Sequence, residues 1–515
     1  MTMVSQPDVT VNIIAANTTV SNTAQKVLFV GQKVAAGTAT SGDLNEAIQN
    51  DGSWDTLFGA NSQLAGMIRT ARDLNKVTKF DAIALDDAAG TPASGSFAIT
   101  GTATEAGTLT FVVGSKVDYA FAIPVASGAT GASLGVLLET AVLANLECPV
   151  TASDTTGTVT LTADNDGTVG NKIPLQLIGS VAGISVTTTA MSSGATDPTL
   201  TSVLDVIGDE RYQTIVWPYS SDVSTVKTFL DARFNVTNDV QDGIAVIPMV
   251  DTYANLVATA DALNSQSIVL LGDEVQTSTN HKGASKVEMA HIKAAQFAAE
   301  RSLRLTQDAN IAQLVLTSNG ALDSFGGPAL ASKPYFNTLL PNLPLTDTGK
   351  GFDRTESEGL LTSGVTVFGN NRANNSSIMG EVVTTYKTDS AGNPDTSFKF
   401  LNYVDTASNA REYFWNNLKK RFAQSRLTEG DVIRGRDIAN AATIEAYLTD
   451  LYADLAGPDY VLLQAGEAAL QFFNENISVT LDLSLGKATV TMIVPIVTQL
   501  RTINVSMQLA FTTEG

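Results

Sequence analysis

Side chains that commonly bind metals or act as nucleophiles are scarce in this sequence. It holds one cysteine, Cys148, and two histidines, His281 and His291, among 515 residues. A single cysteine cannot form a disulfide bond within the chain, and so few nitrogen and sulfur ligands argue against a zinc site. We therefore expect a fold that is held by packing alone, with no metal and no cofactor.

Positive charge and long apolar runs are also scarce. The chain has 31 Lys and Arg against 52 Asp and Glu, a formal net charge of −21. Such a surface repels phosphate groups, so we expect no direct nucleic-acid binding and no attraction to anionic membranes. The most apolar run, "ATVTMIVPIV", is about half as long as a membrane-spanning helix. Residues 1–14 show no secretory signal pattern either, so we expect synthesis in a cytoplasm and no membrane insertion.

Hydrophobic residues make up 44% of the chain, enough for several cores, and its length suggests three or four domains. Continuous apolar strands such as "KVLFVGQ" and "GIAVIPMV" alternate with amphipathic helices. This alternation predicts a central parallel α/β sheet formed by residues 23–90 plus 201–355. Residues 91–200 are rich in Gly, Thr, Ala and Ser and show short strand signals, which predicts an inserted small β-sandwich-like domain.

Residues 356–500 have the mixed pattern of an α+β domain. The stretch "SFKFLNYVDT" indicates a strand, and it precedes a helical stretch in which Phe414, Leu418 and Phe422 share one face. Far upstream, "DLNEAIQ" at residues 43–49 has helical periodicity. The predicted fold is therefore an α/β multidomain protein with an inserted β domain, an α+β C-terminal domain and a strand arm at each end.

Both ends of the chain carry apolar residues at every second position, the pattern of a strand with one buried face. We assign residues 1–22 to an N-terminal arm and polar linker, and residues 501–515 to a C-terminal arm. Such a strand can pair within its own chain or add to a sheet edge in another copy, and both alternatives stay open. The apolar positions of the two arms are Val9, Val11, Ile13, Ile503, Val505, Met507, Leu509 and Phe511.

Two motifs suggest chemistry. "GASLG" at residues 131–135 matches a nucleophile elbow around Ser133, but the strand before it is weak and a triad would need one of the two histidines. We interpret Ser133 as a helix N-cap and His291 as a packed helical histidine, with an α/β hydrolase as the alternative. "ADNDGTVGN" at residues 163–171 lacks the ligand spacing of a calcium loop and predicts an Asn-Asp-Gly hairpin turn. We therefore expect no enzymatic activity.

Lys419, Lys420 and Arg421 form a basic cluster in this acidic chain. They lie near the predicted C-terminus of a helix, where positive charge offsets the helix dipole. The alternative interpretation is a charged contact with an acidic face of another subunit.

The stretch from Gly364 to Phe422 resembles the tail sheath proteins of contractile-tailed bacteriophages, in particular those of the Mu-like branch. It contains a "GVTV" strand, the segment "VVTTY" at residues 382–386, then Gly392 and Asp395, and a helix that carries Arg411 and Leu418. The resemblance extends over nearly the whole chain. Residues 201–305 are similar to the middle domain of that family, and the insert is similar to its outward β domain.

The resemblance implies a structural protein of the virion tail that is assembled in the host cytoplasm. Its copies would stack as hexameric rings in a helix around a tail tube, and contraction would drive the tube through the host envelope for genome delivery. The implied partners are other copies of the chain, the tail tube protein, and the baseplate and tail terminator proteins. The alternatives are the sheath of a phage-tail-like bacteriocin or injection system and, in another class, a secreted β-rich surface protein.

The resemblance also implies that the arms add strands to a sheet in neighbouring copies. We assign the acceptor sheet to "ISVTLDLS" and "KATVTMIVPIV" of the C-terminal domain, with Val490, Met492 and Val494 as acceptor positions. This assignment gives the two terminal strands a role in joining subunits, whereas none of the catalytic or metal-binding motifs predicts a function for the chain.

Overall fold

The computed structural model describes residues 25–115, 118–234, 240–275, 288–305, 339–340, 343, 351–371, 376–432, 437–457 and 462–498. Its strands are Lys26–Gln32 (β1), Leu44–Asn45 (β2), Lys79–Leu85 (β3), Pro92–Gly101 (β4), Gly107–Val113 (β5), Ala120–Val125 (β6), Val150–Thr155 (β7), Thr158–Asp166 (β8), Leu175–Ile178 (β9), Ile184–Ser192 (β10), Thr214–Val216 (β11), Ile244–Asp251 (β12), Ile268–Glu274 (β13), Leu339–Leu340 (β14), Val365–Thr366 (β15), Phe368–Asn371 (β16), Ser376–Met379 (β17), Arg426–Leu427 (β18), Ile438–Ala439 (β19), Ile477–Asp482 (β20) and Lys487–Met492 (β21).

Its α-helices are Ser53–Phe58 (α1), Gln63–Leu74 (α2), Gly131–Ala144 (α3), Thr201–Ile207 (α4), Val223–Phe234 (α5), Tyr253–Leu263 (α6), Ala290–Leu305 (α7), Arg354–Thr362 (α8), Leu401–Phe422 (α9), Ala441–Ala456 (α10) and Glu467–Glu475 (α11). Within the ranges given above, no helix is both long and apolar enough to cross a membrane. The eight apolar arm positions, from Val9 to Phe511, and His281 lie outside the described residues.

A seven-stranded sheet forms the centre of the fold, in the order β15-β13-β12-β11-β1-β3-β2. Its pairings are parallel except for the short edge strand β2. β1 lies between β3 and β11, so the strands before the insert and those after it share one sheet. The predicted parallel sheet is therefore confirmed, whereas the predicted domain boundaries stay predictions.

This sheet is buried on both faces. Val27 and Phe29 of β1 join the core beneath α2 and α7, while Leu28 and Val30 join the core beneath α4, α5, α6 and α8. Neighbouring residues of one strand thus enter opposite cores, which explains why its apolar run is continuous.

The stretch between β3 and α4 forms two antiparallel sheets, β10-β4-β8-β7 and β6-β5-β9. The rings of Phe97 on β4 and Phe111 on β5 meet edge to face, with their centroids 5.1 Å apart, so side chains of the two sheets share one core. The helix α3 packs against strands of both sheets.

The C-terminal part packs α9, α10 and α11 against the hairpin β20–β21. Phe414 is buried in this core, and Leu418 and Phe422 pack against it from the same side of α9, which confirms the predicted face. Tyr452 of α10 stacks on Phe473 of α11, with their ring centroids 4.4 Å apart.

Two local predictions are wrong. "DLNEAIQ" is not a helix, because Ala47 adopts a left-handed φ of 51° and its N–H donates to Asp81 Oδ1 at 2.6 Å, while Leu44–Asn45 pairs with β3. "SFKFLNYVDT" is not a strand, because its second half is the first turn and a half of α9. There Leu401 and Val404 are buried at helical spacing.

Candidate assembly surfaces

The hairpin β20–β21 is the sheet to which the acceptor positions were assigned. Its strands alternate, with Ile477, Val479 and Leu481 of β20 facing the core of α9, α10 and α11, and Ser478 and Thr480 facing solvent. On the facing strand, the predicted acceptor positions Val490 and Met492 are half-buried against the same core, and so are their neighbours Ala488, Val494 and Ile496. Val494 lies two residues beyond the end of β21.

One hydrogen bond reveals which backbone groups of the hairpin point outward. The N–H of Val479 donates to the carboxylate oxygen Oε1 of Glu445 on α10, at 3.1 Å, so it does not point at β21. Val479 pairs with Val490, and in an antiparallel ladder both members of such a pair direct their N–H and C=O groups away from each other. The outer edge of β21 therefore exposes the backbone N–H and C=O groups of Val490. Because outward groups recur at every second residue, it also exposes those of Ala488 and Met492.

The β21 edge is open within the part of the chain that the structure describes. The outward N–H and C=O groups of Ala488, Val490 and Met492 have no hydrogen-bond partner there. Unpaired groups in a row are the feature to which an added strand can bind.

The basic cluster forms the last turn of α9, as predicted. All three side chains are exposed; the ammonium of Lys419 lies 4.4 Å from the centre of the Trp415 ring. Within the described residues no ion pair joins the cluster to an acid. The arrangement is compatible both with dipole compensation and with a charged contact to another subunit.

Ser133 is held in a helix cap, although not in the predicted position. The N-cap of α3 is Thr130, whose hydroxyl accepts from the Ser133 N–H at 3.3 Å, and the Ser133 hydroxyl in turn accepts from the Thr130 N–H at 3.1 Å. This is a reciprocal capping box, with Ser133 at the third helical position. The threonine three residues before Ser133 was the signal that could have predicted it.

Burial sets the protonation of His291 and Cys148. It lowers the pKa of His291 to about 4, which leaves the imidazole neutral at pH 7, and it raises the pKa of the Cys148 thiol to about 12. A buried, protonated thiol is a poor nucleophile. His291 is thus the packed helical residue that we predicted. Among the described residues, no group of three or more His, Cys, Asp or Glu side chains is placed to hold a metal.

The crevice at the carboxyl ends of β1 and β11 is filled by protein side chains. The chain order reverses between these two strands, and open α/β sheets bind their ligands at such a switch point. Here Gln32, the last residue of β1, donates to Asp87 Oδ1 at 2.6 Å and to the carbonyl of Asp166 at 2.8 Å. The hydroxyl of Tyr219 donates to Gln63 Oε1 at 3.2 Å in the same place.

Residues of the insert also reach this crevice, and the predicted hairpin turn is wrong there. β8 continues to Asp166 and is followed by a 3-10 turn, Thr168–Lys172. The Asn165 amide donates to the Lys33 carbonyl at 3.1 Å and to Asp87 at 3.0 Å, which joins the insert to the central sheet. Beside it, burial raises the pKa of Asp164 to about 6.

Three ion pairs, one fully buried and two partly buried, join the opposite end of the sheet to α9. They are Arg301–Asp405 at 2.5 Å, Arg211–Glu412 at 2.7 Å and Arg411–Asp242 at 2.5 Å. Two of the three acids are less than 4% exposed. Because removing one partner would leave a buried charge, these pairs fix the position of α9 against the sheet.

Sequence reasoning did not find Glu445, Asn165 or the acids of α9 as contact residues. No motif could have identified them, because each meets a partner that is more than 30 residues away in the chain. Within the described residues, the chain thus presents an open strand edge on β21 and a basic end of α9, and polar contacts join its parts.

Comparison with known proteins finds one similar curated sequence and more distant similarities to solved structures. No protein-family model matches the chain. The chain is 27% identical over 440 residues to the Mu-like prophage FluMu tail sheath protein of Haemophilus influenzae, and the match covers 84% of this chain and 82% of that protein.

Two solved structures are similar at greater distance. The sheath tail protein of Listeria innocua is 12% identical, with a TM-score of 0.47 and coverage of 92% of both chains. That of Desulfitobacterium hafniense is 11% identical, with a TM-score of 0.45 and coverage of 95% of this chain and 100% of the other. The sequence similarity to the Haemophilus protein confirms the predicted resemblance: this chain is similar to a tail sheath protein of a Mu-like prophage.

Proposed function

We propose that the chain is the structural subunit of a contractile tail sheath. Its copies polymerise around an inner tube as part of a virion tail, and the contraction of the polymer drives the tube through a host envelope. The observation that carries this proposal is the similarity to a tail sheath protein along 84% of the chain. The proposed activity is mechanical and includes no catalytic step.

The terminal arms join the subunits by strand addition to the hairpin β20–β21. The open outer edge of β21 supports this role, and a two-stranded hairpin gains stability when further strands are added. Each ladder hydrogen bond contributes on the order of 1 kcal/mol net, so one arm is a modest contact. Many such contacts in a polymer are strong together and still pliable.

The polar contacts within the subunit support movement as a rigid body during contraction. The ion pairs to α9 hold the C-terminal part, and Asn165 holds the insert. The arms are then the flexible links. In the same polymer, Lys419, Lys420 and Arg421 contact an acidic face of a neighbouring subunit, since they are exposed charges in an otherwise acidic chain.

Truncation of the C-terminal arm tests this function. The full chain is expected to form striated hollow cylinders under negative-stain electron microscopy. A chain that ends at Gln499 should remain a folded monomer that forms none, because the strand at residues 501–511 is missing.

A matched control ends at Phe511 and removes only the last four residues, so it should assemble like the full chain. Circular dichroism of each variant checks the fold. Cylinders formed by the chain that ends at Gln499 would contradict strand addition, and the failure of the full chain to form any would contradict the sheath function.

A further inference from the structure

The two edges of the acceptor hairpin differ in one respect. On β21 the outward backbone groups have no hydrogen-bond partner among the described residues. On β20, the outward N–H of Val479 is already bound to the carboxylate of Glu445, at 3.1 Å. The two edges of the hairpin are therefore unequal in the part of the chain that the structure describes.

Glu445 is held on α10 in a position to make this contact. The helix packs along β20, and Glu445 is half-buried in its second turn, one residue after the buried Ile444. The helix that carries Glu445 thus belongs to the same core that supports the hairpin. No arm strand is needed to hold the Glu445 side chain against Val479.

A strand that docks on β20 must compete with this side chain. The incoming strand offers a backbone carbonyl to the Val479 N–H, and Glu445 offers a carboxylate oxygen to the same hydrogen. A carboxylate is the stronger acceptor because it is charged. Among the described residues, no side chain imposes such an exchange at the β21 edge, and charged side chains at a strand edge protect it against unwanted pairing.

We propose that Glu445 closes the β20 edge in the free subunit, so that arm strands dock in order, first on β21 and then on β20. The proposal rests on the strand addition given under the proposed function. Glu445 acts as a placeholder: it satisfies the Val479 N–H before assembly and gives way to a backbone carbonyl when the second strand arrives.

Assembly kinetics of full-length variants test this order. Glu445→Ala should shorten the lag of sheath formation, measured by light scattering and checked by electron microscopy, and raise the initial rate about fivefold, the factor for one net hydrogen bond. Glu445→Gln should lie between the wild type and Glu445→Ala, because its amide oxygen still accepts from Val479 but carries no charge. Asp450→Ala, an exposed carboxylate on the same helix, controls for the loss of one negative charge.

Hydrogen exchange of the unassembled subunit supplies a second readout. The Val479 amide should exchange about fivefold faster in Glu445→Ala than in the wild type, with Glu445→Gln between the two. If Glu445 only stabilised the hairpin, Glu445→Ala should assemble more slowly than the wild type, because a less stable hairpin should accept strands less readily.

The outcomes separate the two proposals. If the wild type assembles and Glu445→Ala assembles at the same rate or more slowly, the placeholder is wrong and the sheath function stands. If Asp450→Ala accelerates assembly as much as Glu445→Ala, net charge explains the effect and the placeholder is again wrong. If the wild type forms no sheath, the proposed function fails and this inference fails with it.

Discussion

The buried ion pair between Arg301 of α7 and Asp405 of α9 offers a quantitative test of how the subunit is held together. Their side chains are 4% and 2% exposed, and the joined atoms are 2.5 Å apart. Asp405→Asn keeps the shape of the side chain and removes its charge, which leaves a buried guanidinium with neutral acceptors such as the Gln213 carbonyl at 2.7 Å. We expect the free energy of unfolding to fall by about 3 kcal/mol.

An exposed pair of the same chemistry is the matched control. Arg354 and Glu358 on α8 are joined at 2.7 Å, with side chains 92% and 63% exposed. Glu358→Gln should cost less than about 0.5 kcal/mol, because solvent screens the pair. The difference between the two variants isolates the effect of burial.

Denaturation by guanidinium measures both changes, with hydrogen exchange of α9 as a local readout, since a chain with several cores need not unfold in one step. Equal losses in Asp405→Asn and Glu358→Gln would refute the desolvation argument. The double variant Arg301→Met with Asp405→Leu should return to within about 1 kcal/mol of the wild type, because it removes both charges. A double variant as unstable as the single one would show that the altered packing of the side chains, and not the unpaired charge, causes the loss of stability.

Two further predictions concern pH and salt. Burial raises the pKa of Glu288 from 4.5 to about 8, and its carboxyl lies 2.8 Å from the Ser115 hydroxyl. This group therefore stabilises the fold fully below about pH 4.5, and the stability is lost as pH rises through about 8. Glu288→Gln should flatten the melting temperature across that window, and an unchanged slope would contradict the assignment. Replacing Lys419, Lys420 and Arg421 with Gln should slow sheath assembly at low salt and weaken its salt dependence in light scattering; assembly at the wild-type rate would leave only the helix-dipole role.

Short-range patterns were enough to predict several elements of the fold. The strand "KVLFVGQ" is apolar throughout because both of its faces are buried, and that requirement is visible in the sequence alone. The face of α9 formed by Phe414, Leu418 and Phe422 was predicted from four-residue spacing for the same reason. The N-cap prediction at Ser133 was wrong, but the residue that corrects it, Thr130, lies only three residues earlier in the sequence.

Other features could not be predicted, because they depend on which polar groups meet after folding. Asn165 has the local sequence of a turn, yet it lies against Lys33 and Asp87 because the insert packs on the end of the central sheet. The α9 start at Leu401 was missed because aromatic residues before it suggested a strand.

The sequence by itself determined which residues are buried away from water. It therefore predicted the parallel sheet, the buried helix faces and the alternating apolar pattern at the two chain ends. Only the tertiary structure decided that Arg301 meets Asp405 across 104 residues, and that Glu445 binds one edge of the hairpin β20–β21 while the other edge has no partner among the described residues. Apolar burial follows from local periodicity, whereas the pairing of buried polar groups follows from the way distant elements pack.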